Sequence, residues 1–156
     1  MEVAARFLAT RPRTRWEVER RLRRAGPGPD VIEATLERLV ALGLVDDVAF
    51  ANWWLEQRDR HTPRGRRMIE AELRQHGVPR EVIEQLRDDE AERPSDAEQT
   101  RARTALERHL RGRPLPADAG ALQRVGMFLV RRGFDPETVR VTLREAAEGG
   151  ELPTTP

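Results

Sequence analysis

Three times along the chain a leucine stands four residues before a glycine: Leu22 before Gly26, Leu73 before Gly77, and Leu129 before Gly133. Six residues after each glycine comes a β-branched apolar side chain, Ile32, Ile83 and Val139, with Pro29, Pro79 and Pro136 in between. Glycine is the residue that closes a helix in a left-handed turn, and proline is tolerated where the next helix opens. Each site therefore reads as a helix end, a tight turn and a helix start. Because this grammar recurs three times, the chain must be built of similar helical units rather than one irregular domain.

Reading outward from these points gives three helices per unit. The first unit is expected to hold a short helix over Val3–Ala9, a second over Arg15–Ala25 and a third over Pro29–Leu42, closed by Gly43. Thr14 and Glu17 have the spacing of a capping box. Trp16, Val18 and Leu22, then Val31, Ile32, Leu36, Leu39 and Val40, are the expected buried positions. The first helix of the second unit starts at Asp46 or Asp47 and runs to about Arg60. Its middle helix is expected from Thr62-Pro63, with Met68, Ile69 and Leu73 facing inward, and its last helix from Pro79. In the third unit Ser95 or Asp96 opens a helix to Leu110, Asp118 opens the next, and Asp135-Pro136 the last.

The expected fold is all-α, an elongated array of three tandem three-helix, helix-turn-helix-like repeats. The boundaries fall at 1–46, 47–94 and 95–148, with 149–156 as a disordered tail. No sustained apolar/polar alternation suggests a strand.

Chemistry is sparse. The chain of 156 residues has no cysteine, which removes thiolate nucleophiles, disulfides and zinc ribbons. His61, His76 and His109 are far apart in sequence and read as surface histidines, and Ser95 is the only serine. Neither a phosphate loop nor a nucleophile elbow occurs. The chain reads as a protein that is not an enzyme, needs no cofactor or metal, and acts in the cytoplasm as a monomer. No stretch approaches the roughly 18 apolar residues of a membrane span.

Charge carries more information. All 28 basic residues are arginine, and against 27 acids they leave a net charge of +1. That near-cancellation hides an alternation: +5 over 1–27, −5 over 28–57, +4 over 58–80, −6 over 81–100, +6 over 101–144 and −3 thereafter. Arginine's planar fork suits bidentate contacts with carboxylate or phosphate. Arg58, Arg60, Arg64, Arg66 and Arg67 form the densest cluster. Arg20, Arg21 and Arg24 end the equivalent helix of the first unit, and Arg131 and Arg132 that of the third. These ten are the candidate partner-binding residues.

Two segments carry a family resemblance. Gly43-Leu44-Val45-Asp46-Asp47-Val48-Ala49-Phe50-Ala51 resembles the "GLLDD-x-x-FA" signature of the bacterial RecX regulators. Gly65 to Val78 is similar to that family's "G-x-x-x-I-x-x-EL-x-x-x-G-[IV]" element, and Trp16 to Leu22 to its first-unit "S-x-x-EL-x-x-KL" element. Gly133-Phe134 matches the third unit, so the resemblance spans about residues 3–145. It implies three tandem three-helix repeats and a modulator of RecA recombinase. Members lie in the groove of the RecA filament on single-stranded DNA and usually inhibit filament growth, strand exchange and ATP hydrolysis. The implied partners are the RecA filament and single-stranded or duplex DNA. The alternative is a helix-turn-helix DNA-binding protein that works without RecA, against which Glu33, Glu37, Glu81 and Glu84 weigh.

Overall fold

The computed structural model describes residues 1–92 and 97–149. Among the described residues there are nine α-helices and no strand: α1 (Glu2–Leu8), α2 (Arg15–Ala25), α3 (Pro29–Ala41), α4 (Asp47–His61), α5 (Arg66–Gln75), α6 (Arg80–Ala91), α7 (Ala97–Leu110), α8 (Ala119–Arg131) and α9 (Pro136–Glu148). They fall into two compact units. The first comprises Met1–Glu56 and Ala71–Asp89, the second Gln57–Glu70 and the described residues from Glu90 onward.

In the first unit, Ala4, Val18, Leu22, Ile32, Leu36, Leu39 and Val45 from α1, α2, α3 and the turn after them form one apolar cluster. In the second, α7, α8 and α9 contribute Ala102, Ala105, Leu106, Val125, Leu129, Phe134 and Val139 to another. A fully buried leucine in such a cluster contributes about 1.5–3 kcal/mol.

The motif that opened the sequence reading corresponds to equivalent places in the fold. Leu22, Leu73 and Leu129 are buried, as are Ile32, Ile83 and Val139 six residues past each glycine. Gly26, Gly77 and Gly133 take left-handed φ values of 90°, 75° and 91°. At two of the three ends the residue after glycine donates back to the leucine carbonyl: Val78 to Leu73 at 3.0 Å and Phe134 to Leu129 at 3.3 Å. Pro27 follows Gly26 and has no N–H to donate. The first helix of each trio adds a second recurrence, an alanine one turn before a leucine: Ala4 and Leu8, Ala51 and Leu55, Ala102 and Leu106. All three alanines are buried at 1% exposure or less. The opening motif does not contain this pair, yet it was visible as an Ala-x-x-x-Leu spacing.

A lock made twice fixes the start of a middle helix. In the first unit the Thr14 hydroxyl donates to the His76 carbonyl at 2.6 Å, and the Arg15 N–H donates to Asp47 Oδ1 at 2.9 Å. In the second, the Gly65 N–H donates to the Arg132 carbonyl at 2.8 Å, and the Arg66 N–H to Glu98 Oε1 at 3.1 Å. Helix starts carry unsatisfied N–H groups. Here an acid from the first turn of the following helix trio takes one of them. The aspartate pair therefore divides its work: Asp46 caps its own helix through Ala49 N–H at 2.9 Å, while Asp47 reaches α2. Close approach accompanies each lock. A Cβ on Gly65 would stand 2.1 Å from the Gly133 carbonyl carbon, and one on Gly77 2.5 Å from Trp16 Cβ.

The Thr14–Glu17 capping box forms as read, and Asp118 and Asp135 cap α8 and α9. Several expectations need correction. The middle helix of the second trio starts at Arg66 and not at Thr62-Pro63, because Gly65 docked on Arg132, not the local Thr-Pro pair, sets the start. Trp16 is 39% exposed, and Val31 and Val40 on α3 are 58% and 46% exposed, so the apolar stripe of α3 is narrower than its composition. His76 is half-buried and bonded to Glu17 at 3.0 Å, which makes it a structural residue rather than a surface one. The expected helix start at Ser95 or Asp96, the break at Pro94 and all but Gly149 of the tail lie outside the described residues.

Candidate functional site

The ten candidate arginines separate into two groups. In the first unit Arg20, Arg21 and Arg24 are exposed along α2 and line a cavity of about 290 Å³ together with Phe7, Trp16 and Gln75. The Arg20 guanidinium lies 4.5 Å from the Trp16 ring centroid, a cation–π arrangement that keeps an exposed indole covered on one face. Behind it, Glu17 accepts from Arg11 at 2.7 Å and from the Thr14 N–H at 3.0 Å, and it meets His76. Burial works against the Glu17 carboxylate, but the bonds from Arg11, Thr14 and His76 outweigh it and hold its pKa below the usual value.

In the second unit the densest sequence cluster does not act as a single patch. Arg58 and Arg60 occupy the last turn of α4, where cations complement the helix dipole. Burial lowers the Arg64 pKa, and the neighbouring charges of Arg58 and Arg132 lower it further, so these three guanidiniums share one neighbourhood. Arg66 is drawn to Glu98 at 3.7 Å. Arg67 is exposed and helps, with Arg66, to hold Asp135 below the usual carboxylate range; burial opposes this, and bonds from Thr138 lead it. Arg60 is exposed, and its carbonyl accepts from Arg108 at 3.3 Å. Arg131 and Arg132 are adjacent in sequence but line different cavities.

Sequence reading missed three neighbours of Arg132. Arg108, Arg111 and Arg113 line a cavity of about 440 Å³ with it, beside His61 and His109. Their signal was the run Arg108-His109-Leu110-Arg111-Gly112-Arg113, whose second half resembles an ordinary polar turn.

Arg101 is the opposite case, a buried cation inside the fold. It is 4% exposed and pairs with Glu90 and, at 2.8 Å, with Asp59. Breaking such a pair leaves an uncompensated buried charge.

Comparison with known proteins agrees with this architecture. The description "RecX, first three-helix domain" matches residues 1–39, and "RecX, second three-helix domain" matches 46–86. The Regulatory protein RecX of Mycobacterium avium (strain 104) is 38% identical over 145 residues, which cover 91% of this chain and 82% of that protein. That of Thermobifida fusca (strain YX) is 35% identical over 154 residues, 96% of this chain and 80% of its own. A crystal structure of RecX from Lactobacillus salivarius has the same fold, with a TM-score of 0.80 over 94% of each chain at 20% identity. Helix count, glycine spacing and the doubled aspartate that caps two helices at once all point the same way as these identities: the chain belongs to the RecX family of regulatory proteins.

Proposed function

We propose that the chain binds RecA recombinase and its filament on single-stranded DNA, and that it restrains filament growth, strand exchange and ATP hydrolysis. The observation that carries this reading is 38% identity with a RecX protein across 82% of that protein's length. In this reading the protein works in the cytoplasm as a monomer, by occupancy and bridging rather than by catalysis of its own. Its repeats span 1–46, 47–94 and 95–148, with a tail from 149.

The ten arginines are the proposed contacts, in two groups. Arg20, Arg21 and Arg24 surround an exposed tryptophan, an arrangement suited to an acidic or aromatic partner surface. Arg58, Arg60, Arg64, Arg66, Arg67, Arg131 and Arg132 supply cations in the second unit. No helix among the described residues is long and apolar enough to cross a membrane.

The test is RecA ATPase on single-stranded DNA with sub-stoichiometric protein. The expected result is reduced turnover together with co-sedimentation of the protein with filaments. Unchanged turnover and no co-sedimentation overturn the reading. Salt-sensitive duplex binding without any effect on RecA favours the stand-alone DNA-binding alternative instead.

A further inference from the structure

The cavity lined by Arg108, Arg111, Arg113 and Arg132 has a neighbour. A second concavity, of about 370 Å³, shares His109, Arg113 and Phe128 with it and adds Arg124 and Arg131. The two adjoin at a stacked pair: His109 and Phe128 have ring centroids 3.9 Å apart at 16°. The Arg132 guanidinium lies 5.1 Å from the same phenyl ring. His109 is exposed and lines both hollows.

Six arginines thus line two adjoining hollows, and no described carboxylate lines either hollow. None of the six forms an ion pair with a described carboxylate; Arg108 is held instead by the carbonyls of Arg60 and His61, each at 3.3 Å. This differs from Arg66 and Arg101, whose charges are met inside the fold. Arg111 adopts φ 51°, the left-handed region that L side chains occupy at a cost, and Gly112 follows it at 77°. A strained backbone at a concentration of like charge is poor economy for stability alone. An anion would offset the mutual repulsion.

We propose that these two hollows form one trough for a single strand of nucleic acid. The phosphates run along Arg108, Arg111, Arg113, Arg124, Arg131 and Arg132, and an unpaired base stacks on the His109–Phe128 pair. Cationic grooves interleaved with aromatic faces hold single strands with little regard to sequence. A mononucleotide would fill one hollow and leave the cations of the other unmet. A duplex presents no free base face to the stacked pair. An acidic peptide would satisfy the arginines and make no use of the ring. The proposal deepens the filament reading above by giving this chain its own contact with the strand, through residues of which only Arg131 and Arg132 were among the ten.

The experiment uses the full chain without any recombinase, and reads anisotropy of a labelled oligothymidylate of about 20 nucleotides. Arg111→Glu with Arg113→Glu is expected to weaken binding by about tenfold or more. Arg140→Glu with Arg144→Glu, exposed on α9, makes the same change in net charge and is expected to weaken it by less than about threefold. His109→Ala is expected to weaken binding of oligothymidylate and to leave an abasic strand of the same length unaffected; circular dichroism checks that each variant keeps its helicity. Equal losses in the two charge-reversal pairs overturn the trough. So does competition by polyglutamate as strong as that by the strand, combined with no effect of His109→Ala, which would assign the site to an acidic protein. Saturation by thymidine triphosphate at the affinity of the strand overturns it in favour of a mononucleotide pocket. Because no recombinase is present, these failures leave the ATPase test standing, whereas strand binding with unchanged RecA turnover overturns the filament reading alone.

Discussion

Gly26 and Gly133 have nearly the same backbone angle but different surroundings. A Cβ on Gly26 would meet nothing within 4 Å, whereas one on Gly133 would fall 2.5 Å from Met68 Cβ. Gly26→Ala is therefore expected to cost only the left-handed strain, about 1 kcal/mol. Gly133→Ala should add an overpacking cost of roughly 1–3 kcal/mol on top of it. Urea midpoints of the two variants measure the difference, and equal shifts would contradict the close approach. Glu17 gives a pH-dependent case. Its pKa is lowered in the fold, so the unfolded chain binds more protons near the ordinary carboxylate pKa, and stability rises with pH there. The contribution is complete above the unfolded value of about 4.3 and is lost as pH falls through the lower folded value. Glu17→Gln is expected to destabilise at neutral pH by about 1 kcal/mol, with the gap to the parent closing in acid. Denaturation at pH 7 and at pH 3 tests this. The sequence signalled the leucines, glycines and the Thr14–Glu17 box because those signals are local. It did not signal that Trp16 faces outward under Arg20, since exposure depends on what packs opposite.

At the scale of elements, Asp47 tests what the doubled aspartate does. Burial raises its pKa, against the Arg15 N–H bond, with the nearby Asp46 charge also raising it. The helix start it serves needs an acceptor more than a charge. Asp47→Asn retains an acceptor and is expected to be neutral or stabilising near pH 7. Asp47→Ala orphans the Arg15 N–H and is expected to cost about 0.5–2 kcal/mol. Thermal melts of both decide it; equal losses would mean that the charge is what matters. The start of α5 shows why elements were only partly legible. Thr62-Pro63 is a fair local start signal, but the helix waits until Arg66, where Gly65 meets the Arg132 carbonyl, a partner 67 residues away. The candidate site fared similarly. Arg64 has Arg58 from its own sequence cluster as a neighbour but also Arg132 from a separate one, and Arg108, Arg111 and Arg113 became a lining only once α7 and α8 folded back beside each other.

For the molecule as a whole, the net charge of +1 conceals a second unit in which six arginines of α7, α8 and the turns that follow them line two adjoining hollows. Fragments test how far each part stands alone. Residues 1–46 keep the cluster around Leu36 but lose the His76 carbonyl that Thr14 uses. So short a core is expected to give partial helicity and no cooperative melt. Residues 1–92 retain both bonds of the first unit's lock and are expected to melt cooperatively at a lower temperature than the full chain; a cooperative transition in the shorter fragment would refute the dependence.

The three tryptophans, Trp16, Trp53 and Trp54, all belong to the first unit, and the chain has no tyrosine. Near-ultraviolet emission is thus a private signal of that unit, while helical ellipticity comes from both. Recording the two together during a melt separates the units without any label, and the spectroscopic silence of the other unit leaves room for a single tryptophan to be introduced there as an independent beacon.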